Sequence, residues 1–177
     1  YRPVLAMLLE GLTRLEYRGY DSAGVVVLNN GRLKHHKTDG KLIVLKAQLK
    51  NNHLDGRLGL GHTRWATHGV PSCANAHPHF ACDNSIALVH NGIIENHETL
   101  KTKLIKAGHK FASETDTEVI IHLIEDYYKK THNPLESIRQ TVRELSGSFA
   151  LGIIFADQPD SLFAVRVNSP LIVGLGR

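Results

Sequence analysis

Residues 24–31 of this 177-residue chain are Gly24-Val25-Val26-Val27-Leu28-Asn29-Asn30-Gly31, an apolar run followed by a polar turn sequence. The apolar run is typical of a strand, and asparagine and glycine tolerate the positive φ angles that a tight turn requires. Residues 32–38 follow the turn as a second strand. The sequence therefore predicts a β-hairpin, around which the other elements can be placed.

Helices are expected on both sides of this hairpin. An i, i+3, i+4 apolar stripe begins at Val4 and predicts an amphipathic helix that ends near Gly19, and residues 41–50 and 96–107 are expected to form two more. Thr115-Asp116-Thr117-Glu118 matches a capping box ahead of a further helix. Asn133-Pro134 supplies a cap and a first-turn proline for a helix over 135–145, which Gly147 ends.

Strands are predicted in the remaining apolar segments, at 58–65, 85–90, 149–155, 161–165 and 171–175. Hairpins interspersed with helices favour two layers of mostly antiparallel sheet with helices outside, which is an α+β architecture. The chain has no internal repeat, low-complexity tract or linker, so residues 1–177 are expected to form one domain.

Composition excludes several classes of protein. The chain is 42% hydrophobic and 21% charged, which are ordinary values for a globular domain large enough to bury a core. No apolar run approaches the ~18 residues of a membrane span, and the start does not resemble a signal peptide. Two cysteines form no disulfide framework, so we expect a cytoplasmic protein. The net charge of +4 is spread without basic runs, which argues against nucleic acid as a partner.

Polar residues with reactive or hydrogen-bonding groups follow several apolar strands, where a scaffold usually presents its functional site. The segments concerned are YRGYDSAG (17–24), HTRWATHG (62–69), NAHPH (75–79), HNGIIENH (90–97) and SETDTE (113–118).

These residues allow more than one interpretation. His77 and His79, with residues 62–68 and Asp116, could supply metal ligands, but their spacing matches no specific zinc pattern, so we expect no metal. Asn91-Gly92 is typical of a tight turn, yet it could also offer a side-chain amide and a backbone N–H to an oxyanion. Arg64 could be a surface residue or a bidentate partner for a carboxylate.

Asp116 also has two interpretations. It could cap the helix that follows it, or it could bind an ammonium group.

Taken together, the five segments resemble the type 2 glutamine amidotransferase domain of the glutamine–fructose-6-phosphate aminotransferase (glucosamine-6-phosphate synthase) family. The resemblance runs from the first helix to Gly176. The tryptophan and second threonine of HTRWATHG favour this branch over the purine-pathway amidotransferase, glutamate synthase and asparagine synthetase.

The resemblance implies the N-terminal-nucleophile hydrolase fold, a four-layer αββα sandwich. It also implies a cofactor-free chemistry in which an N-terminal cysteine, with its own α-amino group as base, attacks the side-chain amide of L-glutamine. A thioester forms, glutamate is released by water, and ammonia passes to fructose 6-phosphate for hexosamine biosynthesis.

The resemblance also implies roles for individual residues. Asn91 and Gly92 would form the oxyanion hole, Arg64 would hold the α-carboxylate and Asp116 the α-ammonium. Thr67 and His68 would line the pocket. Trp65 would gate ammonia, and Arg18 and His77 would support the surrounding loops.

Members of this family begin with Cys-Gly-Ile and continue into two sugar-isomerase domains. The resemblance therefore implies a nucleophile upstream of Tyr1, isomerase domains beyond Arg177, a homodimeric parent and an inactive fragment. Cys73 and Cys82 have no free α-amino group, so we expect both to be spectators. The alternatives are another type 2 amidotransferase and a non-catalytic module that binds glutamine or glutamate.

Overall fold

The computed structural model describes residues 3–50, 52, 54–65 and 69–175. Its helices are α1 (Val4–Leu15), α2 (Leu42–Leu49), α3 (His97–Lys106), α4 (Glu118–Thr131) and α5 (Pro134–Glu144). Its strands are β1 (Ser22–Asn29), β2 (Arg32–Asp39), β3 (Leu58–Arg64), β4 (His79–Phe80), β5 (Ile86–Ile94), β6 (Gly147–Phe155) and β7 (Phe163–Val167). None of these helices is long and apolar enough to cross a membrane.

The predicted hairpin is confirmed. Strands β1 and β2 pair antiparallel from Ser22↔Asp39 to Asn29↔Arg32. Asn30 and Gly31 form the turn between them with φ angles of 49° and 71°, the conformation that these two residue types tolerate best. The second edge of β1 pairs with β3, which gives the strand order β2-β1-β3.

A second antiparallel sheet has the order β4-β5-β6-β7, and the two sheets form the inner layers of a sandwich. Alternate residues of β1 point to opposite faces: Val25 and Val27 pack with α1 and α2, whereas Val26 packs with Ala87 and Ile154 of the second sheet. The far face of that sheet packs against α3, α4 and α5. The layers are therefore helix, sheet, sheet and helix, as predicted.

The structure corrects three sequence interpretations of local structure. Asn91-Gly92 is not a turn, because β5 continues to Ile94 and pairs residue by residue with β6. Residues 171–175 form no strand: Ile172 is 93% exposed, and an apolar run without a partner strand cannot form a ladder. The capping box is also wrong, as Glu118 starts α4 but its carboxylate accepts hydrogen bonds from the preceding loop, at the N–H groups of Ala112 and Ser113.

Candidate active site

The C-terminal end of β3 and the middle of β5 open onto a cavity of about 480 Å³. That volume is in the range of sites for small molecules. Seven of the site residues named from the sequence line this one cavity: Arg18, Arg64, Trp65, His77, Asn91, Gly92 and Asp116. Thr67 and His68 lie outside the described residues.

Arg64 supplies a buried positive charge to the cavity. It is the last residue of β3, is 5% exposed, and donates from one guanidinium nitrogen to the carbonyl oxygen of Gly69 at 3.3 Å. Burial lowers the pKa of its guanidinium, while the carboxylates of Asp21 and Asp116 act in the opposite direction. An arginine starts so far above neutrality that it remains a cation, and its burial excludes the surface interpretation.

Asp116 supplies the matching negative charge. It is 4% exposed, and its Oδ2 accepts a hydrogen bond from the N–H of Ile94 at 2.8 Å, which ties the segment before α4 to the end of β5. The helix cap interpretation is wrong, because Thr117 holds the cap position of α4. The cavity therefore combines one buried cation and one buried anion, which suits a zwitterion such as an amino acid.

Asn91 and Gly92 bring hydrogen-bonding groups to the same cavity from within β5. The Oδ1 of Asn91 lies 2.8 Å from Nε2 of His62. Since a carboxamide oxygen can only accept, His62 donates this bond, and the donors of Asn91 remain at Nδ2. Gly92 has a φ of 133°, and a Cβ there would collide with the carbonyl oxygen of Ser148, so the position requires glycine.

Buried imidazoles form the wall beside Asn91. The rings of His62 and His77 stack with centroids 4.2 Å apart, and His79 meets His77 edge-on at 4.8 Å. Burial lowers the pKa of all three, that of His79 to about 3, so they are neutral at pH 7. These three buried imidazoles therefore add no charge to the site.

The buried histidines of this wall make hydrogen bonds within the protein. Nδ1 of His77 accepts from the N–H of His90 at 3.3 Å, and Nε2 of His79 lies 3.2 Å from the hydroxyl of Thr115. Within the described ranges, His77, His79 and Asp116 do not come together as a ligand group.

Comparison with known proteins identifies the family. The sequence profile described as "Glutamine amidotransferase domain" matches residues 62–173, the part of the chain that carries most of the cavity. The chain belongs to the glutamine amidotransferase family. The matched range includes the buried His62, His77 and His79, together with Arg64, Asn91, Gly92 and Asp116.

Curated relatives of this amidotransferase carry the name glutamine–fructose-6-phosphate aminotransferase [isomerizing]. The protein of Caldanaerobacter subterraneus subsp. tengcongensis is 51% identical over 170 residues, which are 96% of this chain and 28% of that protein. The protein of Thermococcus kodakarensis is 52% identical over 175 residues, which are 99% and 29% of the two chains. The chain thus spans less than a third of the length of these relatives.

Solved structures show the same fold. The glutamine phosphoribosylpyrophosphate amidotransferase of B. subtilis is 30% identical with a TM-score of 0.69, over 84% of this chain and 32% of that one. A glutamine aminotransferase class-II domain protein from Silicibacter pomeroyi is 20% identical with a TM-score of 0.59, over 86% and 71%. The sandwich of this amidotransferase is the N-terminal-nucleophile hydrolase fold that the sequence resemblance implies.

Trp65 and Arg18 lie at the rim of the amidotransferase cavity. Trp65 is 57% exposed and packs edge-on against the Tyr20 ring at 5.4 Å, and Nε of Arg18 donates to the hydroxyl of Tyr17 at 3.1 Å. Cys73 and Cys82 are free, exposed and outside the described lining of the cavity. The rim of the cavity is therefore formed by residues 17–20, which follow α1, and by Trp65, which follows β3.

Part of the lining of the amidotransferase cavity could not be predicted from the sequence. His62 and His90 lie in the motif segments, but their pattern indicates no role beyond that of a metal ligand. Ser169 and Pro170 approach from the chain after β7, where no motif marks them. Asn168 forms a bridge with Phe149, and the hydroxyls of Ser148 and Ser169 lie 2.9 Å apart; these contacts with β6 hold the segment at the site.

Proposed function

We propose that the cavity binds L-glutamine and that the family's chemistry hydrolyses its side-chain amide. This proposal rests on one observation: buried Arg64 and buried Asp116 line the same cavity, together with Asn91 and Gly92. The guanidinium would hold the α-carboxylate by a bidentate contact, and the Asp116 carboxylate would hold the α-ammonium. The substrate's side chain then extends toward β5.

The nucleophile in this proposal is the cysteine that the family resemblance expects upstream of Tyr1. Its thiolate forms a bond to the amide carbon, and the negative charge moves to the amide oxygen, which the Nδ2 of Asn91 and the N–H of Gly92 would stabilise. The cysteine's α-amino group takes up the thiol proton when the thiolate forms and passes it to the amide nitrogen as the carbon–nitrogen bond breaks, so that ammonia leaves. Water hydrolyses the resulting thioester to glutamate and restores the thiol.

For the whole protein, we propose the glucosamine-6-phosphate-forming reaction named in its relatives, with ammonia delivered to fructose 6-phosphate by further sugar-isomerase domains. Support comes from the 50–52% identity to aminotransferases of that name, against 30% to the solved phosphoribosylpyrophosphate amidotransferase. Trp65, exposed at the rim, would gate ammonia. Residues 1–177 would be the glutaminase domain of a cytoplasmic homodimer, a location that suits the free thiols of Cys73 and Cys82.

Glutamate release from L-glutamine, without a sugar acceptor, tests the glutaminase proposal. We expect the purified protein carrying an N-terminal Cys-Gly to release glutamate, and the same protein with that cysteine changed to alanine to release none. A silent Cys-Gly protein that still binds L-glutamate would contradict the enzyme proposal and favour the non-catalytic binding module. Supplying fructose 6-phosphate to the full-length protein, which would include the sugar-isomerase domains, separates the aminotransferase from other type 2 amidotransferases by the aminated product.

A further inference from the structure

A second group of reactive side chains lies away from the cavity, on the helical side of the second sheet. Cys82 follows β4, His109 lies in the loop after α3, and His122 and Glu125 are one turn apart in α4. The Sγ of Cys82 is 3.5 Å from Nδ1 of His109 and 3.7 Å from Nδ1 of His122. The Oε2 of Glu125 is 3.4 Å and 3.3 Å from the same two nitrogens.

We propose that these four side chains form a zinc site. A tetrahedral Zn²⁺ with bonds of about 2.3 Å to sulfur and about 2.0–2.1 Å to nitrogen and oxygen would hold sulfur and nitrogen about 3.6 Å apart, and nitrogen and oxygen about 3.3 Å apart. Four of the six distances between the ligand atoms lie within about 0.1 Å of these tetrahedral edges, and all six are within 4.8 Å. Ordinary N–H···O hydrogen bonds are shorter, usually about 2.9–3.0 Å.

The outer contact of His109 turns a lone pair toward the centre of the cluster. Nε2 of His109 lies 2.8 Å from Oδ1 of Asp126, and a neutral imidazole that donates from Nε2 presents a lone pair at Nδ1, an arrangement typical of metal-bound histidine. Nδ1 of His122 lies 3.3 Å from Oε2 of Glu125, and a bound metal would replace that hydrogen bond. The Oε1 of Glu125 accepts from Lys129 at 2.7 Å, and its Oε2 accepts from the N–H of Cys82 at 3.1 Å. A carboxylate oxygen has two lone pairs, so Oε2 can also face the centre.

The donor set identifies the metal by its chemistry. One thiolate, two imidazoles and one carboxylate suit Zn²⁺, and the two negative charges balance those of the ion. His109, His122 and Glu125 are buried, while Cys82 is exposed and leaves a route for the ion to enter. Because protein atoms fill all four positions, the proposed role is structural.

The site would also brace the cavity. Glu118, which contacts His122, accepts hydrogen bonds from the N–H groups of Ala112 and Ser113, and that loop leads directly to Asp116. Zinc would thereby fix the loop after α3, the start of α4 and the loop after β4 relative to one another.

Metal content of the purified protein tests this proposal. After chelation, reloading with one equivalent of Zn²⁺ and desalting, we expect one zinc per chain in the wild type and in the Cys73→Ser and His132→Gln controls, which change exposed residues. Cys82→Ser and His109→Gln should each retain at least tenfold less zinc. A wild type that retains none, or a Cys82→Ser variant that retains as much as Cys73→Ser, would overturn the site.

Cobalt provides a second readout, and its result in the wild type does not depend on the folding of any variant. Co²⁺ bound to the wild type should show a thiolate-to-metal charge-transfer band together with the visible bands of tetrahedral cobalt. The charge-transfer band should persist in Cys73→Ser and disappear in Cys82→Ser. Bound cobalt without that band in the wild type would contradict ligation by Cys82.

Discussion

Asn91 shows at the scale of one residue how the strand prepares a donor for the reaction. The hydrogen bond from His62 occupies Oδ1, so the amide can present only its Nδ2 donors to a substrate. His62 itself is buried and its pKa is lowered by that burial, so the wall behind Asn91 is uncharged. The orientation of the amide is therefore fixed before substrate binds.

Replacing Asn91 tests the proposed oxyanion hole. In the active protein, Asn91→Ala should lower kcat for glutamate release by a factor of about 10²–10³, the usual effect of losing one such donor, with little change in KM. Steady-state kinetics would measure both. Asn52→Ala, at an exposed position, is the matched control and should leave both unchanged. A rise in KM at constant kcat would assign Asn91 to substrate binding instead.

At the scale of elements, β5 is the strand that builds the site, and its glycine allows this. Gly92 continues the pairing with β6 at Phe149 in spite of its φ of 133°. Residues with a side chain rarely adopt that angle, and a Cβ would also meet the backbone of Ser148. Strand pairing and site geometry thus depend on the same residue.

Gly92→Ala should therefore destabilise the protein more than an alanine at another positive-φ glycine. Gly108 is the matched control, with a φ of 97° and no atom within 4 Å of the point that a Cβ would occupy. We expect Gly108→Ala to reduce the free energy of unfolding by about 1–2 kcal/mol, and Gly92→Ala by about 3 kcal/mol or more. Urea midpoints would measure the difference, and equal midpoint shifts would contradict the close approach to Ser148.

Elements with strong local signals could be predicted from the sequence. In the β1–β2 hairpin an apolar run leads into Asn30 and Gly31, whose positive φ angles form the turn, and Asn133 caps α5 by accepting from the N–H of Glu136 at 3.1 Å. Asn91-Gly92 carries the same kind of turn signal as the hairpin, yet pairing with β6 overrides it. Residues 171–175 show the reverse, because an apolar run becomes a strand only where a partner is available.

At the scale of the whole molecule, motifs indicated which residues form the site but not how they meet. The cavity residues come from segments whose order along the chain resembles a known family, so they could be named from the sequence. The proposed zinc ligands could not, because Cys82 is 27 and 40 residues from the two histidines. The i, i+3 spacing of His122 and Glu125 was the one local signal, and it is common in helices without metal.

The buried histidines should make the stability of the whole fold depend on pH. Burial lowers the pKa of His79 to about 3 and also lowers those of His62 and His77, so the unfolded chain binds more protons than the native one below about pH 6.5. The free energy of unfolding should therefore fall as the pH decreases from about 6.5 toward 3, by up to about 1.4 kcal/mol per pH unit for each group.

Urea denaturation at several pH values would measure this dependence. His79→Gln should reduce the loss of stability between about pH 6.5 and 4.5, whereas His132→Gln, at an exposed helix end, should leave it unchanged. Glu118 adds a further loss below its ordinary pKa of 4.5, because hydrogen bonds from His122, Ala112 and Ser113 outweigh burial and hold its pKa at about 2. An identical pH slope in His79→Gln and the wild type would contradict a neutral His79.

Calorimetric titration with L-glutamate measures whether Arg64 and Asp116 make the cavity a site for the amino acid end of glutamine. We predict one glutamate per chain, with affinity at least about tenfold lower in Arg64→Lys, which loses the bidentate contact, and unchanged in the exposed control Arg14→Lys. N-acetyl-L-glutamate, which lacks the ammonium, should not bind measurably. Equal affinity of the wild type and Arg64→Lys for L-glutamate would contradict the role of Arg64 in holding the α-carboxylate. Tight binding of the acetylated ligand would contradict the role of Asp116 in holding the ammonium.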